Sequence, residues 1–192
     1  MRIISGTHRR RTLLGPDGKR VTRPIPDRVK QSLFDRLWSM GALDCTHAID
    51  LFAGTGSLGI EALSRGIDHC VFVERDRSAH QLLTQNLADL DLTHRATVLR
   101  IDAMMTGAVN LLVGNAAGLV FVDPPYPLTS DSKSLERVTA LVQRLASVVQ
   151  ADGVLALRTD RHSQPGPISN WVGPLVCNYG STTVHLYEEG EK

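Results

Sequence analysis

Short apolar runs alternate with amphipathic helical patterns along most of this sequence. Runs typical of β-strands occupy residues 48–52, 71–73, 97–101, 119–122, 154–157 and 182–187. Between them, apolar residues recur at helical spacing, most clearly from Leu135 to Val148, and residues 103–113 are also predicted to be helical. This alternation favours an α/β fold, in which helices cover both faces of a mostly parallel sheet. Ligands of such folds lie beyond the carboxyl ends of the strands.

The chain changes character at Pro26. Before it, two short extended segments, Arg2–Ser5 and Arg11–Leu14, accompany strong turn signals. From Pro26, a residue that suits the first turn of a helix, apolar side chains recur at helical spacing. We therefore divide the chain into a basic, β-hairpin-like extension over residues 1–25 and a main domain over residues 26–192.

Composition places the chain among ordinary globular proteins. Of its 192 residues, 42% are apolar and 21% are charged, a mixture typical of one domain. The three cysteines are widely separated, so they predict neither a disulfide framework nor a zinc site, and no metal is expected. No apolar run approaches the ~18 residues of a membrane span, and the basic first residues interrupt any signal-peptide core. We expect a cytoplasmic protein that does not bind membranes.

Positive charge is concentrated near the start of the sequence. Residues 1–30 contain nine lysines and arginines but two acids, whereas the whole chain has a net charge of +1. A basic arm on an acidic body favours a polyanion as partner. A solvated basic face that binds nothing explains the same pattern.

A glycine-rich loop follows the first strand of the main domain. Its sequence, Gly54-Thr55-Gly56-Ser57-Leu58-Gly59, fits G-x-G-x-x-G and opens a helix. Glu74 follows the next predicted strand, 20 residues after Gly54, where a carboxylate can accept two hydrogen bonds from a ribose diol. The arrangement predicts a nucleotide cofactor, and both NAD and S-adenosylmethionine fit it.

Two aspartates at strand ends bear on the choice of cofactor. Asp50 lies four residues before Gly54, where a carboxylate would repel a pyrophosphate but attract a ligand that carries an ammonium group, such as S-adenosylmethionine. Asp102 is suited to accept a hydrogen bond from an adenine amino group, with the Ala103 N–H serving the ring. The local alternatives are a helix-cap role for Asp50 and a turn-forming role for Asp102.

The segment Asp123-Pro124-Pro125-Tyr126 ends the fourth predicted strand. Prolines fix φ and donate no backbone N–H, so this loop is rigid and its carbonyl groups are free to accept hydrogen bonds. Asp123 and the Pro124 carbonyl can each accept a hydrogen bond from an exocyclic amino group, while Tyr126 offers a ring that stacks on a planar base. The alternative is a plain loop that an aromatic residue covers.

The segments Asp50–Gly56 and Asp123–Tyr126 resemble motifs I and IV of S-adenosylmethionine-dependent amino methyltransferases. More narrowly, the chain resembles the RsmD-type 16S ribosomal RNA guanine-N2 methyltransferases. The stretches that narrow the resemblance are Met1–Gly6, Thr22–Pro24, Asp27–Val29, Ser32–Phe34, Gly59–Gly66, Val71–Asp76 and Leu186–Tyr187. The resemblance covers almost the whole chain and is weakest over residues 103–118 and 160–180.

The resemblance implies a Rossmann-like class I methyltransferase fold: a seven-stranded, mostly parallel sheet with an antiparallel last strand, preceded by a small N-terminal extension. It implies that the cofactor is S-adenosyl-L-methionine and that the main domain methylates N2 of one guanine in 16S ribosomal RNA, guanine 966 in the usual numbering. The substrate implied is the small ribosomal subunit or a late assembly intermediate, and a monomeric enzyme is expected.

The resemblance also assigns roles to residues of this sequence. The implied catalytic residues are Asp123, Pro124, Pro125 and Tyr126. The implied cofactor-binding residues are Asp50, Phe52, Gly54, Thr55, Gly56, Glu74, Arg75, Asp102 and Ala103. The expected RNA contacts, which position phosphates without reading sequence, are Arg9, Arg10, Arg11, Arg20, Arg23 and Arg28.

Other functions fit parts of the pattern. An NAD-dependent oxidoreductase shares the glycine fingerprint, but it gives Asp50 and the Asp123–Tyr126 segment no role in hydride transfer. A non-catalytic assembly factor would bind ribosomal RNA through the basic arm, although a vestigial enzyme is expected to lose motif residues and none is missing here. Among methyltransferases, DNA adenine and protein glutamine are alternative targets, because motif IV is shared with enzymes that modify them.

Overall fold

One sheet organises the main domain. A computed structural model describes residues 1–16, 25–112, 114 and 116–190. In these residues seven strands pair in the order β3-β2-β1-β4-β5-β7-β6. The strands are β1 (His47–Leu51), β2 (His69–Val73), β3 (Ala96–Leu99), β4 (Ala117–Val122), β5 (Val149–Asp160), β6 (Trp171–Tyr179) and β7 (Thr182–Glu189). Strands β1 to β5 are parallel, whereas β7 lies antiparallel between β5 and β6. This confirms the expected seven-stranded, mostly parallel sheet with an antiparallel last strand.

Helices cover both faces of the sheet, as the alternating pattern predicts. They are α1 (Asp27–Ser39), α2 (Ser57–Ser64), α3 (Arg77–Asp89) and α4 (Ser132–Leu145). Apolar side chains of α1, α2 and α3 pack on one face, and those of α4 pack on the other. Because neighbouring strand residues point to opposite faces, Ala48 joins the first cluster and Ile49 the second. Of the helices in the described residues, none is long and apolar enough to cross a membrane.

Side-chain caps determine where two of the helices begin. The Asp76 carboxylate accepts a hydrogen bond from the Ala79 N–H at the start of α3 (2.8 Å), and Asp131 accepts one from Ser134 at the start of α4 (3.0 Å). Each bond satisfies a backbone N–H that has no partner within its helix. The cap at Asp76 also fixes the end of the β2–α3 connection, immediately after Glu74.

Two segments differ from the pattern-based prediction. The predicted helix over residues 103–113 is wrong, because the structure has turns there and a short 3-10 helix, Val109–Leu112. Strand β6 was not predicted, because none of the apolar runs that indicate strands covers its residues. It is an edge strand in which Trp171 alone is buried, and the register with β7 shifts around Gly173 and Pro174. Proline is tolerated at such an edge because its missing N–H faces no partner strand.

The first residues form an antiparallel pair, with a bridge between Arg2 and Thr12. The Ile3 N–H donates to the Arg11 carbonyl and the Leu13 N–H donates to the Met1 carbonyl, each at 2.9 Å. The Thr7 N–H, near the turn of this pair, donates to the carbonyl of Ser64, the last residue of α2 (2.8 Å). The N-terminal hairpin, residues 1–14, therefore packs along α2.

A buried carboxylate joins the N-terminal hairpin to the main domain. Glu61 of α2 is fully buried and accepts hydrogen bonds from the N–H groups of Ile4 (2.8 Å) and Ser5 (3.0 Å). It also forms ion pairs with Lys30 of α1 (3.2 Å) and Arg65 (2.9 Å). Lys30 is as buried as Glu61, and burial lowers the pKa of its ammonium group although Glu61 raises it. The hairpin, α1 and α2 thus all contact the same buried negative charge.

Replacing Glu61→Gln should lower the free energy of unfolding by about 3–5 kcal/mol, because it leaves the buried Lys30 without its counter-charge. The matched control is Asp27→Asn, which breaks the exposed Arg2–Asp27 pair, whose side chains are 62% and 39% exposed. An exposed pair of this kind contributes less than about 1 kcal/mol. Urea denaturation of both variants measures the difference. Equal, small losses would show that the buried network does not hold the hairpin.

Candidate active site

The predicted site residues meet at the carboxyl edge of the sheet. Strand β1 is parallel to both β2 and β4. Asp50 near the end of β1, Glu74 after β2 and Asp123 after β4 are therefore neighbours, and the charges of Glu74 and Asp123 both act on Asp50. Three carboxyl groups on adjacent strands create a negative region at this edge.

The glycines of the loop have different physical roles. Gly54 and Gly56 have positive φ angles, 57° and 88°, which glycine adopts without strain. A Cβ on Gly54 would meet nothing within 4 Å, whereas a Cβ on Gly56 would lie 2.5 Å from Leu83 Cδ1 of α3. A Cβ on Gly59 would lie 2.3 Å from Phe72 Cε1 of β2. Gly56 and Gly59 thus permit close packing of α2, and the open side of the loop is at Gly54.

Hydrogen bonds hold the remaining parts of this loop. Phe52 also has a positive φ, 60°, and packs partly buried against the cluster that contains α4. The Ala53 N–H donates to the Val73 carbonyl at 3.1 Å, and the Thr55 carbonyl accepts a hydrogen bond from Asn86 Nδ2 of α3 at 3.0 Å. The loop is therefore tied both to β2 and to α3.

Glu74 is fixed by backbone donors on both of its carboxylate oxygens. Oε2 accepts from the Gly54 N–H at 2.8 Å, and Oε1 accepts from the Asp76 N–H at 2.7 Å. A carboxylate has about four lone-pair positions, so each oxygen retains capacity for a further donor. The geometry fits a rigid acceptor for the hydroxyl groups of a nucleoside.

Asp50 is buried, and its side chain accepts a hydrogen bond from the first turn of α2. Its Oδ2 accepts a hydrogen bond from the N–H of Gly59, the third residue of α2, at 2.9 Å. The helix-cap role, which was the local alternative for Asp50 in the sequence, is therefore present in the structure. Burial, with smaller contributions from the charges of Asp123 and Glu74, raises the pKa of Asp50 to about 8, although the Gly59 N–H lowers it. Asp50 thus lies in a desolvated place beside two other acidic groups.

Asp102 and Arg75 form an ion pair beside Glu74. Arg75 Nη1 lies 2.9 Å from Asp102 Oδ2, and the Met104 N–H donates to Oδ1 at 2.9 Å. Burial alone would raise the pKa of Asp102, but the Met104 N–H and Arg75 together lower it. Ala103, between them, is buried. The structure thus brings together these predicted cofactor residues at the ends of β2 and β3.

Asp123 is paired with a residue that the sequence analysis missed. Arg158 Nε donates to Asp123 Oδ1 at 2.6 Å, and the two side chains are 12% and 18% exposed. Arg158 lies on β5, where Leu157 pairs with Val122 of β4, so the next residues of the two strands are neighbours. Burial raises the pKa of Asp123, and Arg158 lowers it. The sequence does contain a signal for this site residue, because a charged side chain immediately follows the apolar run 154–157.

A cleft of about 260 Å³ opens beside this ion pair. It is lined by Pro26, Val29, Tyr126, Arg158, Tyr179, Ser181 and Thr182. The cleft lies where the Asp-Pro-Pro-Tyr loop, the start of α1 and the β6–β7 turn come together. Tyr126 supplies an aromatic surface within it.

The predicted RNA contacts occupy separate places. Arg9–Arg11 are exposed at the turn of the N-terminal hairpin, where Arg11 Nη2 donates to the Asp89 carbonyl at the end of α3. That end of α3 lies at the sheet edge opposite the site, because α3 starts at the carboxyl edge. Arg28 is exposed on the first turn of α1, beside the cleft. Arg20 and Arg23 fall outside the described residues.

Comparison with known proteins identifies the family. A family model described as "Conserved hypothetical protein 95" matches residues 1–188. The Bacillus subtilis protein named "Putative rRNA methyltransferase YlbH" is 37% identical over 195 residues, which cover 98% of this chain and 99% of that relative. The chain belongs to the RsmD family of methyltransferases.

Further similar proteins agree in sequence and in structure. Ribosomal RNA small subunit methyltransferase D of Escherichia coli is 40% identical over 126 residues, 66% of this chain and 60% of that protein. The solved structure of the Escherichia coli protein yhhF covers 100% of this chain, and 99% of yhhF is matched, at 30% identity and a TM-score of 0.78. The family and fold class expected from the sequence are confirmed.

The substitution Gly54→Ala tests whether a ligand approaches the open side of the glycine loop. Alanine at a left-handed position costs about 1–2 kcal/mol of stability, and Gly41→Ala, at φ 73° after α1, is a matched control with the same cost. We expect Gly54→Ala alone to weaken binding of S-adenosylmethionine, about tenfold, as measured by calorimetry. Equal affinities in the two variants would show that the cofactor does not approach Gly54.

Proposed function

We propose that this protein transfers a methyl group from S-adenosyl-L-methionine to the exocyclic N2 of one guanine in 16S ribosomal RNA, guanine 966 by family resemblance. The observation that carries the proposal is the position of Asp123, whose ion-pair partner Arg158 lines the cleft together with Tyr126, at the same strand edge as the glycine loop. The names of the relatives, which specify rRNA methyltransferases and the small subunit, support ribosomal RNA as the substrate.

The residues present fit a cationic nucleoside cofactor. Asp50, Glu74 and Asp123 form a negative region in which the pKa of Asp50 is raised to about 8 by burial and by its acidic neighbours. A sulfonium and an ammonium group would offset that charge, whereas the pyrophosphate of NAD would add to it. Bound S-adenosylmethionine supplies an electrophilic methyl group. The side chains proposed to hold it are Asp50, Glu74 and Asp102, with Gly54 leaving room for its approach.

The acceptor guanine has to leave its stack before its amino group can enter the cleft. Asp123 and the Pro124 carbonyl accept hydrogen bonds from N2, and Tyr126 stacks on the ring. The N2 lone pair is delocalised into the ring, so acceptors that favour a more tetrahedral nitrogen increase its nucleophilicity. Positioning of this kind supplies up to ~7–11 kcal/mol in well-oriented reactions.

The transfer forms a bond between N2 and the methyl carbon and breaks the bond between that carbon and the sulfonium sulfur, which keeps the electron pair. The methylated nitrogen then loses one proton, either to Asp123 or to water. Asp123 therefore has to be ionised when the amino group binds, because a protonated carboxyl offers a donor where an acceptor is needed.

The separation of the basic residues implies an extended RNA footprint. Arg28 lies between Pro26 and Val29, which line the cleft, whereas Arg9–Arg11 lie at the far end of α2. The eight residues of α2 give a length of about 12 Å. RNA that contacts both groups would run along the N-terminal hairpin, and these contacts would position phosphates rather than select bases.

The proposal is tested by methyl transfer from labelled S-adenosylmethionine to small ribosomal subunits from cells that lack this gene. We expect label on N2 of a single guanine in 16S RNA. Asp123→Ala should lower the rate about 100-fold or more, because the acceptor amine loses its orientation. The control is Glu188→Ala, an exposed carboxylate on β7 that pairs with Val154, four residues before Arg158 along β5, which should keep the wild-type rate.

Other outcomes of this experiment would replace the proposal. If the subunits take up no label, the same assay is repeated with DNA and with protein, and label on DNA adenine or on a protein amide would keep the cofactor and change the acceptor. Bound cofactor without transfer to any of these acceptors would contradict the proposed reaction. RNA binding without cofactor binding would favour a non-catalytic assembly factor.

The basic residues predict a strong salt dependence of RNA binding. For single-stranded RNA the logarithm of the binding constant falls with the logarithm of salt concentration by about 0.7 per phosphate contact. Joint replacement of Arg9, Arg10 and Arg11 by alanine should reduce this slope by up to about 2, and Arg28→Ala by up to about 0.7. Filter binding at several salt concentrations measures both, with cofactor affinity as the control. An unchanged slope would exclude these arginines from the interface.

A further inference from the structure

Arg158 takes part in the ion pair with Asp123 and also lines the cleft. Its Nε donates to Asp123 Oδ1 at 2.6 Å, and its side chain lines the cleft that contains Tyr126. It reaches this place from β5, the strand next to the one that delivers Asp123. An arginine that served only to balance a buried charge would not have to border the space where the substrate is proposed to bind.

The hydrogen bonds of this pair are incomplete on both sides. Among the described residues, the Arg158 side chain makes one hydrogen bond, from Nε, although a guanidinium has five N–H donors. The Asp123 side chain likewise accepts one hydrogen bond there, through Oδ1. Oδ1 is therefore committed to Arg158, and Oδ2 is the oxygen left for a donor that enters the cleft.

We propose that Arg158 is a positioning residue of the acceptor site, which fixes the Asp123 carboxylate so that Oδ2 accepts a hydrogen bond from the amino group to be methylated. The inference rests on the proposed methyl transfer and adds to it a residue outside the two sequence motifs. A guanidinium suits the task because its planar fork holds a carboxylate in one orientation, which the point charge of an ammonium group does not.

Electrostatics gives Arg158 a second effect on the same carboxylate. Asp50 on β1 is an acidic neighbour of Asp123, since the charge of Asp123 raises the pKa of Asp50, and Arg158 on β5 pairs with Asp123. Burial raises the pKa of Asp123, and Arg158 is the charged group that lowers it. Without Arg158 the pKa of Asp123 rises further, and a larger fraction of the carboxyl is protonated at any given pH. The acid side of the pH–rate profile then moves to higher pH.

The test compares Arg158→Gln, which keeps an N–H donor without charge, with Arg158→Lys, which keeps the charge without the planar fork. The control is Arg161→Ala, an exposed arginine three residues further along the chain. Arg158→Gln should lower kcat about 100-fold and move the acid side of the profile upward by about 1–3 pH units. Arg158→Lys should lower kcat but keep the wild-type profile, and KM for the cofactor should stay unchanged in both.

A second measurement does not depend on methyl transfer. Carbon-13 NMR of the Asp123 carboxyl, in wild type and in Arg158→Gln, follows its pKa directly, and thermal unfolding confirms that the variant is folded. A raised pKa in the variant supports the proposal even if the acceptor proves to be DNA or protein. An unchanged pKa, or a wild-type kcat in both variants, overturns it. Absence of methyl transfer in the wild-type protein would instead count against the proposed function.

Discussion

The architecture around the site depends on one buried negative charge, Glu61. Its carboxylate accepts two backbone N–H groups of the N-terminal hairpin and pairs with Lys30 of α1 and Arg65. Because the same residue lies in α2, the helix that the glycine loop opens, the loop cannot shift without disturbing the hairpin. Desolvation of such a charge is costly unless every partner is in place. The basic turn of the hairpin and the glycine loop are therefore linked through this one buried charge.

The site itself is organised by its charge. It brings several carboxyl groups together with little positive charge to balance them. Asp50, Glu74 and Asp123 end three adjacent strands, and each is held by a different donor: the Gly59 N–H, two backbone N–H groups, and the Arg158 guanidinium. Hydrogen bonds fix the geometry of these groups, while the electrostatic imbalance favours a cationic ligand. The same arrangement disfavours a dinucleotide, although both kinds of cofactor share the glycine fingerprint.

The sequence predicted those parts of the fold and site that are encoded locally. Buried strands, amphipathic helices and the Asp-Pro-Pro-Tyr loop each have a continuous pattern, and the family resemblance supplied the topology. Strand β6 was not predicted from its residues because an edge strand needs little apolar alternation. The pairing of Arg158 with Asp123 depends on β5 lying beside β4, which neither segment encodes alone. The role of Gly59 in packing against Phe72 likewise follows from tertiary contacts.

The N-terminal hairpin has a consequence for how this chain can be shortened. Its first residues look like a detachable basic tail in the sequence, yet Ile4 and Ser5 supply two of the donors that satisfy Glu61. Deletion of residues 1–5 would remove these donors and open the buried Lys30–Glu61 pair, which joins α1 to α2, to water. A truncated protein would accordingly be altered in its core rather than merely deprived of a basic tail.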